Sequence, residues 1–136
     1  MLFDIAHSGN SEKELYNFLT KKKQIKRREK DIASIIHQLE ILEEDIGEFG
    51  FQHIVNKTDD IAKIKGHGKN LYRIKIPLDS NTYRILCRPH YNTLVLLTIF
   101  KKKRGKILKE HSSLSANMFE DYKEKAKDFG SYLDRN

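Results

Sequence analysis

The chain is poor in the residues that build covalently or metal-held folds. One cysteine, Cys87, stands among 136 residues, which excludes an internal disulfide and every metal site that needs several thiolates. Cys87 falls in an apolar, strand-like run, where a buried small hydrophobe is expected rather than a nucleophile. The six histidines are scattered and lack a cysteine partner, so a zinc enzyme is not expected; no cofactor is expected either. Long apolar runs are missing too. The longest, Leu94-Val95-Leu96-Leu97 followed by Ile99 and Phe100, is far short of the roughly 20 residues that span a bilayer. The first ten residues carry neither a charged leader region nor a long apolar one. A reduced, cytoplasmic setting without membrane contact is the expectation. No internal repeat or linker divides the chain, and its length suits one domain over residues 1–136.

Acidic residues are also in deficit. Lys and Arg number 26 against 19 Asp and Glu, a formal net charge of +7, with a pI near 9.4. Hydrophobic residues at 38% and charged residues at 33% describe a well-solvated globular chain. On a small domain such an excess of positive charge points to a polyanionic partner, nucleic acid before an anionic membrane. Simple solubility is the competing explanation, and the placement of the charges decides between them.

The pattern along the chain predicts an α+β order. Leu2, Phe3, Ile5 and Ala6 suggest a first strand, closed by Ser8-Gly9-Asn10. Ser11 and Glu14 have capping-box spacing ahead of Leu15, Phe18 and Leu19, which predicts a short helix. Ile25, Arg28, Ile32, Ile35, Ile36, Leu39, Leu42 and Ile46 recur at helical spacing, with Arg28 the one polar intruder and Gly47 a natural stop. After Gly50 the texture turns strand-like, with candidates at residues 61–65, 71–76, 82–88 and 93–100. The short breaks between them favour an antiparallel meander. The last candidate is apolar on both faces, as expected of a strand covered on both sides. A final amphipathic helix is predicted over residues 115–129, burying Met118, Phe119, Tyr122, Ala126 and Phe129.

Strand alternation then sorts the charge. Tyr72, Ile74 and Ile76 share a face with Tyr83, Ile85 and Cys87, beneath the isoleucine-rich helix. Arg73, Lys75, Arg84 and Arg88 share the opposite face. Neighbouring like charges repel, so such a face is built to meet an anion. Lys101-Lys102-Lys103-Arg104, Lys106 and Lys109 follow the last strand, and a further basic cluster lies between residues 21 and 28. A lone lysine run is usually a solvated surface, but beside a basic sheet face it reads as phosphate-binding. Tyr72, Tyr83, Tyr91 and Phe100 are interleaved aromatics able to stack on bases, with core packing the plainer role for Tyr72, Tyr83 and Phe100.

Three stretches, in order, resemble the RelE/ParE toxin superfamily, particularly its phage-derived HigB-like branch. Leu71-Tyr72-Arg73-Ile74-Lys75-Ile76 looks like that branch's leucine-tyrosine-glutamate-leucine-arginine strand, with Lys75 in the arginine's place. Tyr83-Arg84-Ile85 is similar to its tyrosine-arginine-isoleucine strand. Leu96-Leu97-Thr98-Ile99-Phe100-Lys101-Lys102-Lys103 resembles its apolar strand ending in phenylalanine, any residue and two lysines. The resemblance covers nearly the whole chain. It implies N-terminal helices packed on a small twisted antiparallel sheet, with a C-terminal helix.

In function the resemblance implies a toxin of a type II toxin–antitoxin system, held in check by a cognate antitoxin. For RelE- and HigB-like members it implies ribosome-dependent cleavage of messenger RNA, a metal-free attack of the ribose 2′-hydroxyl on the adjacent phosphate that stops translation. Such chemistry needs a base, positive charge around the phosphorane and a proton donor to the leaving oxygen. On the resemblance, Arg84 meets the scissile phosphate, and Lys75 meets the same anion or acts as base. Lys102 and Lys103 bind flanking phosphate or ribosomal RNA, with Lys65, Lys69, Arg73 and Arg88 as further phosphate contacts. No histidine or aromatic residue just after Phe100 matches the family's proton donor, which leaves His111 and Tyr122 as downstream candidates. His67 is read as an exposed loop histidine. Two other readings stay open: a ParE-like inhibitor of DNA gyrase, and a non-catalytic nucleic-acid- or protein-binding module of phage origin.

Overall fold

The computed structural model describes residues 4–7, 25–65, 70–79, 82–101 and 109–128. In chain order they form β1 (Asp4–His7), α1 (Ile25–Phe49), α2 (Phe51–Lys57), β2 (Ile61–Lys63), β3 (Tyr72–Pro77), β4 (Thr82–His90), β5 (Thr93–Lys101) and α3 (Lys109–Asp128). The fold is α+β. Five strands make one sheet in the order β1-β5-β4-β3-β2. Strands β2 to β5 form the expected antiparallel meander. The sheet is not wholly antiparallel, because β1 joins the far side of β5 in parallel. The predicted helix beginning at Ser11 lies outside the described residues.

Helix α1 covers one face of the sheet because Ile35, Leu39, Leu42 and Ile46 fall on a single stripe. They join Ile61, Tyr72, Ile74, Ile76, Tyr83, Ile85, Cys87, Leu94, Leu96 and Ile99 in the main core. Each fully buried aliphatic chain contributes about 1.5–3 kcal/mol relative to exposure. Two expectations for this helix fail. Ile36 is 48% exposed, since it lies one residue, about 100° of helix, beyond the stripe centred on Ile35. Gly47 does not stop the helix, which runs on to Phe49. The break falls at Gly50, whose φ of 90° is open to glycine and strained for residues with a Cβ. Gly50 N–H still donates to Ile46 O at 2.8 Å, and its carbonyl starts the next helix by accepting from Ile54 N–H at 3.2 Å.

That next helix, α2, corrects the expectation of strand-like texture after Gly50. Phe51 and Ile54 are three residues apart and both buried in the main core, and Phe51 meets the Tyr72 ring edge-on at 5.0 Å. The segment is too short to show helical periodicity without its partners.

Helix α3 lies on the opposite face of the sheet and begins at Lys109, ahead of the expected start at Ser115. Met118 packs on Val95 and Leu97, with Phe119 and Tyr122 against them. Strand β5 is therefore buried on both faces, as its composition requires. A register shift between Leu86 and Cys87 pairs them with Thr98 and Leu96, so Leu97 is the extra residue. The bulge lets Thr98 share a buried hydrogen bond with Ser115 of α3 at 3.3 Å, while Ile99 enters the core under α1. Beyond the short β2, the outer edge of β3 is closed by Lys75 N–H donating to Asp60 O and Gln38 Nε2 donating to Pro77 O at 2.9 Å. Pro77 has no N–H to leave exposed there. No helix among the described residues is long and apolar enough to cross a membrane.

Candidate functional site

The alternation of β3 and β4 places Arg73, Lys75, Arg84 and Arg88 opposite the α1 core, as their sequence requires. Register then brings three of them together. Lys75 lies directly across from Arg84, and Arg73 across from Leu86. Arg73 is thus a diagonal neighbour of Arg84, about 7–8 Å away along the face.

The face is not the open basic surface that alternation suggests. Only 9% of Arg84 is exposed. Burial pushes its guanidinium pKa down, the neighbouring Arg73 charge pushes the same way, and the charge of Asp59 opposes them. Asp59, in the link between α2 and β2, is the residue that sequence reasoning missed. Arg73 Nη2 donates to its Oδ1 at 2.6 Å and Lys75 Nζ to its Oδ2 at 2.5 Å. Arg73 Nη1 also donates to the Asp59 carbonyl at 2.7 Å. These partners, the Lys75 hydrogen bond first and those of Arg73 after it, hold the Asp59 carboxyl down at about 2. The local fold prepares the contact: Thr58 ends α2 by donating its hydroxyl to Ile54 O at 2.7 Å, and Asp60 N–H donates to the same hydroxyl at 3.2 Å. The only sequence signal was the Asp59-Asp60 pair ahead of a basic strand. The contacts span 14 and 16 residues and depend on strand register.

Other candidates stand apart from this cluster. Arg88 is on the same face but four residues further along β4, about 13 Å, where its guanidinium lies 5.3 Å from the centre of the Phe119 ring. Arg88 Nε is buried with no hydrogen-bond partner among the described residues. Lys65 is exposed in the turn after β2, near Leu71, whose carbonyl accepts from Ile64 N–H. That is the opposite end of β3 from Lys75. His111 lies in the first turn of α3, four residues before Ser115, and its side chain is outside the described set. His67, Lys69, Lys102, Lys103 and Phe129 lie outside the described residues.

Two stacking candidates are removed by burial. Tyr72 is 6% and Tyr83 1% exposed, and the Tyr83 hydroxyl donates to the buried Asp31 carboxylate at 2.8 Å. Tyr91 is 61% exposed. It occupies the two-residue β4–β5 turn with φ 55°, and its ring meets His90 edge-on at 4.7 Å. Tyr122, the second candidate acid, packs against the Val95–Leu97–Met118 cluster, with its ring centre 6.0 Å from that of His90. Cys87 is fully buried, which pushes its thiol pKa up, in keeping with a packing role.

The cluster therefore carries three cations, Arg73, Lys75 and Arg84, and one ionised carboxylate, Asp59. Chemically it can hold a phosphate group or stabilise negative charge developing on one. No group of three or more His, Cys, Asp or Glu side chains able to hold a metal ion comes together among the described residues. No protein-family model, curated protein or solved structure matches the chain.

Proposed function

We propose that the chain is a type II toxin of the RelE/HigB kind, directed at RNA through the Arg73–Lys75–Arg84 face. The observation that carries this reading is the juxtaposition of Lys75 and Arg84 across the β3–β4 ladder, with Arg73 diagonal to them. These two strands also carry two of the motifs that resemble the superfamily. Three cations on one patch of sheet repel one another, and a phosphate relieves that repulsion. In the proposed reaction the ribose 2′-hydroxyl oxygen attacks the adjacent phosphorus and the bond to the 5′ oxygen breaks. The products are a 2′,3′-cyclic phosphate and a 5′-hydroxyl. Arg84 and Arg73 stabilise the charge on the phosphorane. Lys75 Nζ donates to Asp59 in the free protein; with RNA bound it meets the same charge or takes the proton that the attacking 2′-hydroxyl loses. His111 remains the proposed proton donor.

One observation favours a second reading, a nucleic-acid-binding module without catalysis. Asp59, the carboxylate at the cluster, is held at about 2 and is a weak base at neutral pH. Induced expression separates the readings. A toxin stops translation within minutes, and co-expression of the antitoxin from the adjacent reading frame relieves the arrest. Supercoiling by purified gyrase should be unaffected. Normal growth at verified levels of folded protein would favour the binding module, and blocked supercoiling with intact transcripts would favour the ParE-like mode.

A further inference from the structure

The cation cluster is layered in an order that its charge does not require. Asp59 has 67% of its side chain exposed, against 31% for Lys75 and 14% for Arg73, and only 9% of Arg84 is exposed. The carboxylate is the outermost group, between the cations and solvent. Its two oxygens go to two different cations, Oδ1 to Arg73 and Oδ2 to Lys75. Two phosphate oxygens arriving at the same face would seek the same donors.

From this layering we infer that Asp59 is an internal anion occupying the place of a ligand phosphate, and that binding requires its carboxylate to swing away from Arg73 and Lys75. The inference rests on the reading of this face as a phosphate site. The movement is small, because the side chain is exposed and only its rotamer must change. The link itself stays anchored, since Arg73 also holds the Asp59 carbonyl and Lys75 N–H holds that of Asp60. Without ligand the carboxylate offsets repulsion between the cations. With ligand it would repel the incoming phosphate if it stayed. Asp59 thus sets a threshold: a single phosphate displaces it only at high concentration, and a polynucleotide that gains contacts elsewhere displaces it readily.

Asp59→Asn tests this, with Asp60→Asn as the control that removes the same charge one residue away. The probes are a fluorescein-labelled single-stranded RNA of 12 nucleotides and, separately, inorganic phosphate followed by NMR. Melting curves establish that each variant is folded. The internal-anion role is supported if Asp59→Asn binds both probes about tenfold more tightly than wild type, with Asp60→Asn close to wild type. Equal or weaker RNA binding by folded Asp59→Asn overturns it and leaves the RNA reading standing, as does an equal gain in Asp60→Asn. Tighter phosphate binding by Asp59→Asn, with no RNA bound by any protein, supports the internal anion and overturns the RNA reading. A variant that fails to fold is replaced by a wild-type measurement, the 13C shift of the Asp59 carboxyl on adding phosphate. A shift supports displacement, and an unmoved resonance at saturating phosphate overturns it.

Discussion

Arg84 and Ile85 are adjacent in β4 and point to opposite sides of the sheet, Arg84 toward Lys75 and Ile85 into the core under α1. Their substitutions should therefore fail in different ways. Ile85→Ala removes a side chain that is 4% exposed and should cost about 2–5 kcal/mol of stability. Arg84→Ala should instead leave a folded protein with weakened action on RNA, by about a hundredfold or more if it stabilises the phosphorane. Urea unfolding beside a growth-arrest assay distinguishes the two. An Arg84→Ala protein inactive only through unfolding would remove the functional role.

Tyr83→Phe addresses the polar tie between α1 and the sheet. Loss of the hydroxyl leaves the Asp31 carboxylate, 9% exposed, without the donor that meets it at 2.8 Å. Buried unsatisfied groups cost about 1–3 kcal/mol. The urea midpoint should fall by a corresponding amount, while affinity for RNA stays the same.

Gly50→Ala isolates a backbone effect. No atom lies within 4 Å of the place its Cβ would occupy, so steric overlap with neighbours is not the issue. Its φ of 90° is a conformation that residues with a Cβ rarely adopt, and an alanine held there should lower stability by about 1 kcal/mol or more. An unchanged melting temperature would show that the α1–α2 junction relaxes.

Stability at acid pH should report Asp59. Its carboxyl is lowered from 3.8 to about 2 in the folded protein, so the folded state favours the ionised form. The contribution is complete above the unfolded value, near pH 4, and is lost as pH falls toward 2. Wild type and Asp59→Asn should differ in urea stability at pH 6, with the gap closing between pH 4 and pH 2. Because the group is mostly exposed, the difference should be small and should shrink with added salt.

The particular residues show what was legible in the sequence. Period-two alternation assigned Arg73, Lys75, Arg84 and Arg88 to one face, and the i, i+4, i+7 stripe of Ile35, Leu39 and Leu42 supplied the helix for the other. Both depend on local geometry, which sequence order carries directly. Asp59 was hidden because its contacts form only once β2 and β3 are in register. Leu97 as the bulge residue is likewise a product of pairing, and it decides which side Thr98 and Ile99 take. Arg88 was grouped with the cluster because alternation gives the face of a residue and not its distance along the strand.

The most direct measurement is 5′-end mapping of transcripts from cells induced for wild type and for Arg84→Ala, at matched levels of folded protein. Wild type should give new 5′-hydroxyl ends within translated frames, dependent on ribosome occupancy, and Arg84→Ala should lose them. Intact transcripts with wild type, or the same cleavage pattern in both, would contradict it.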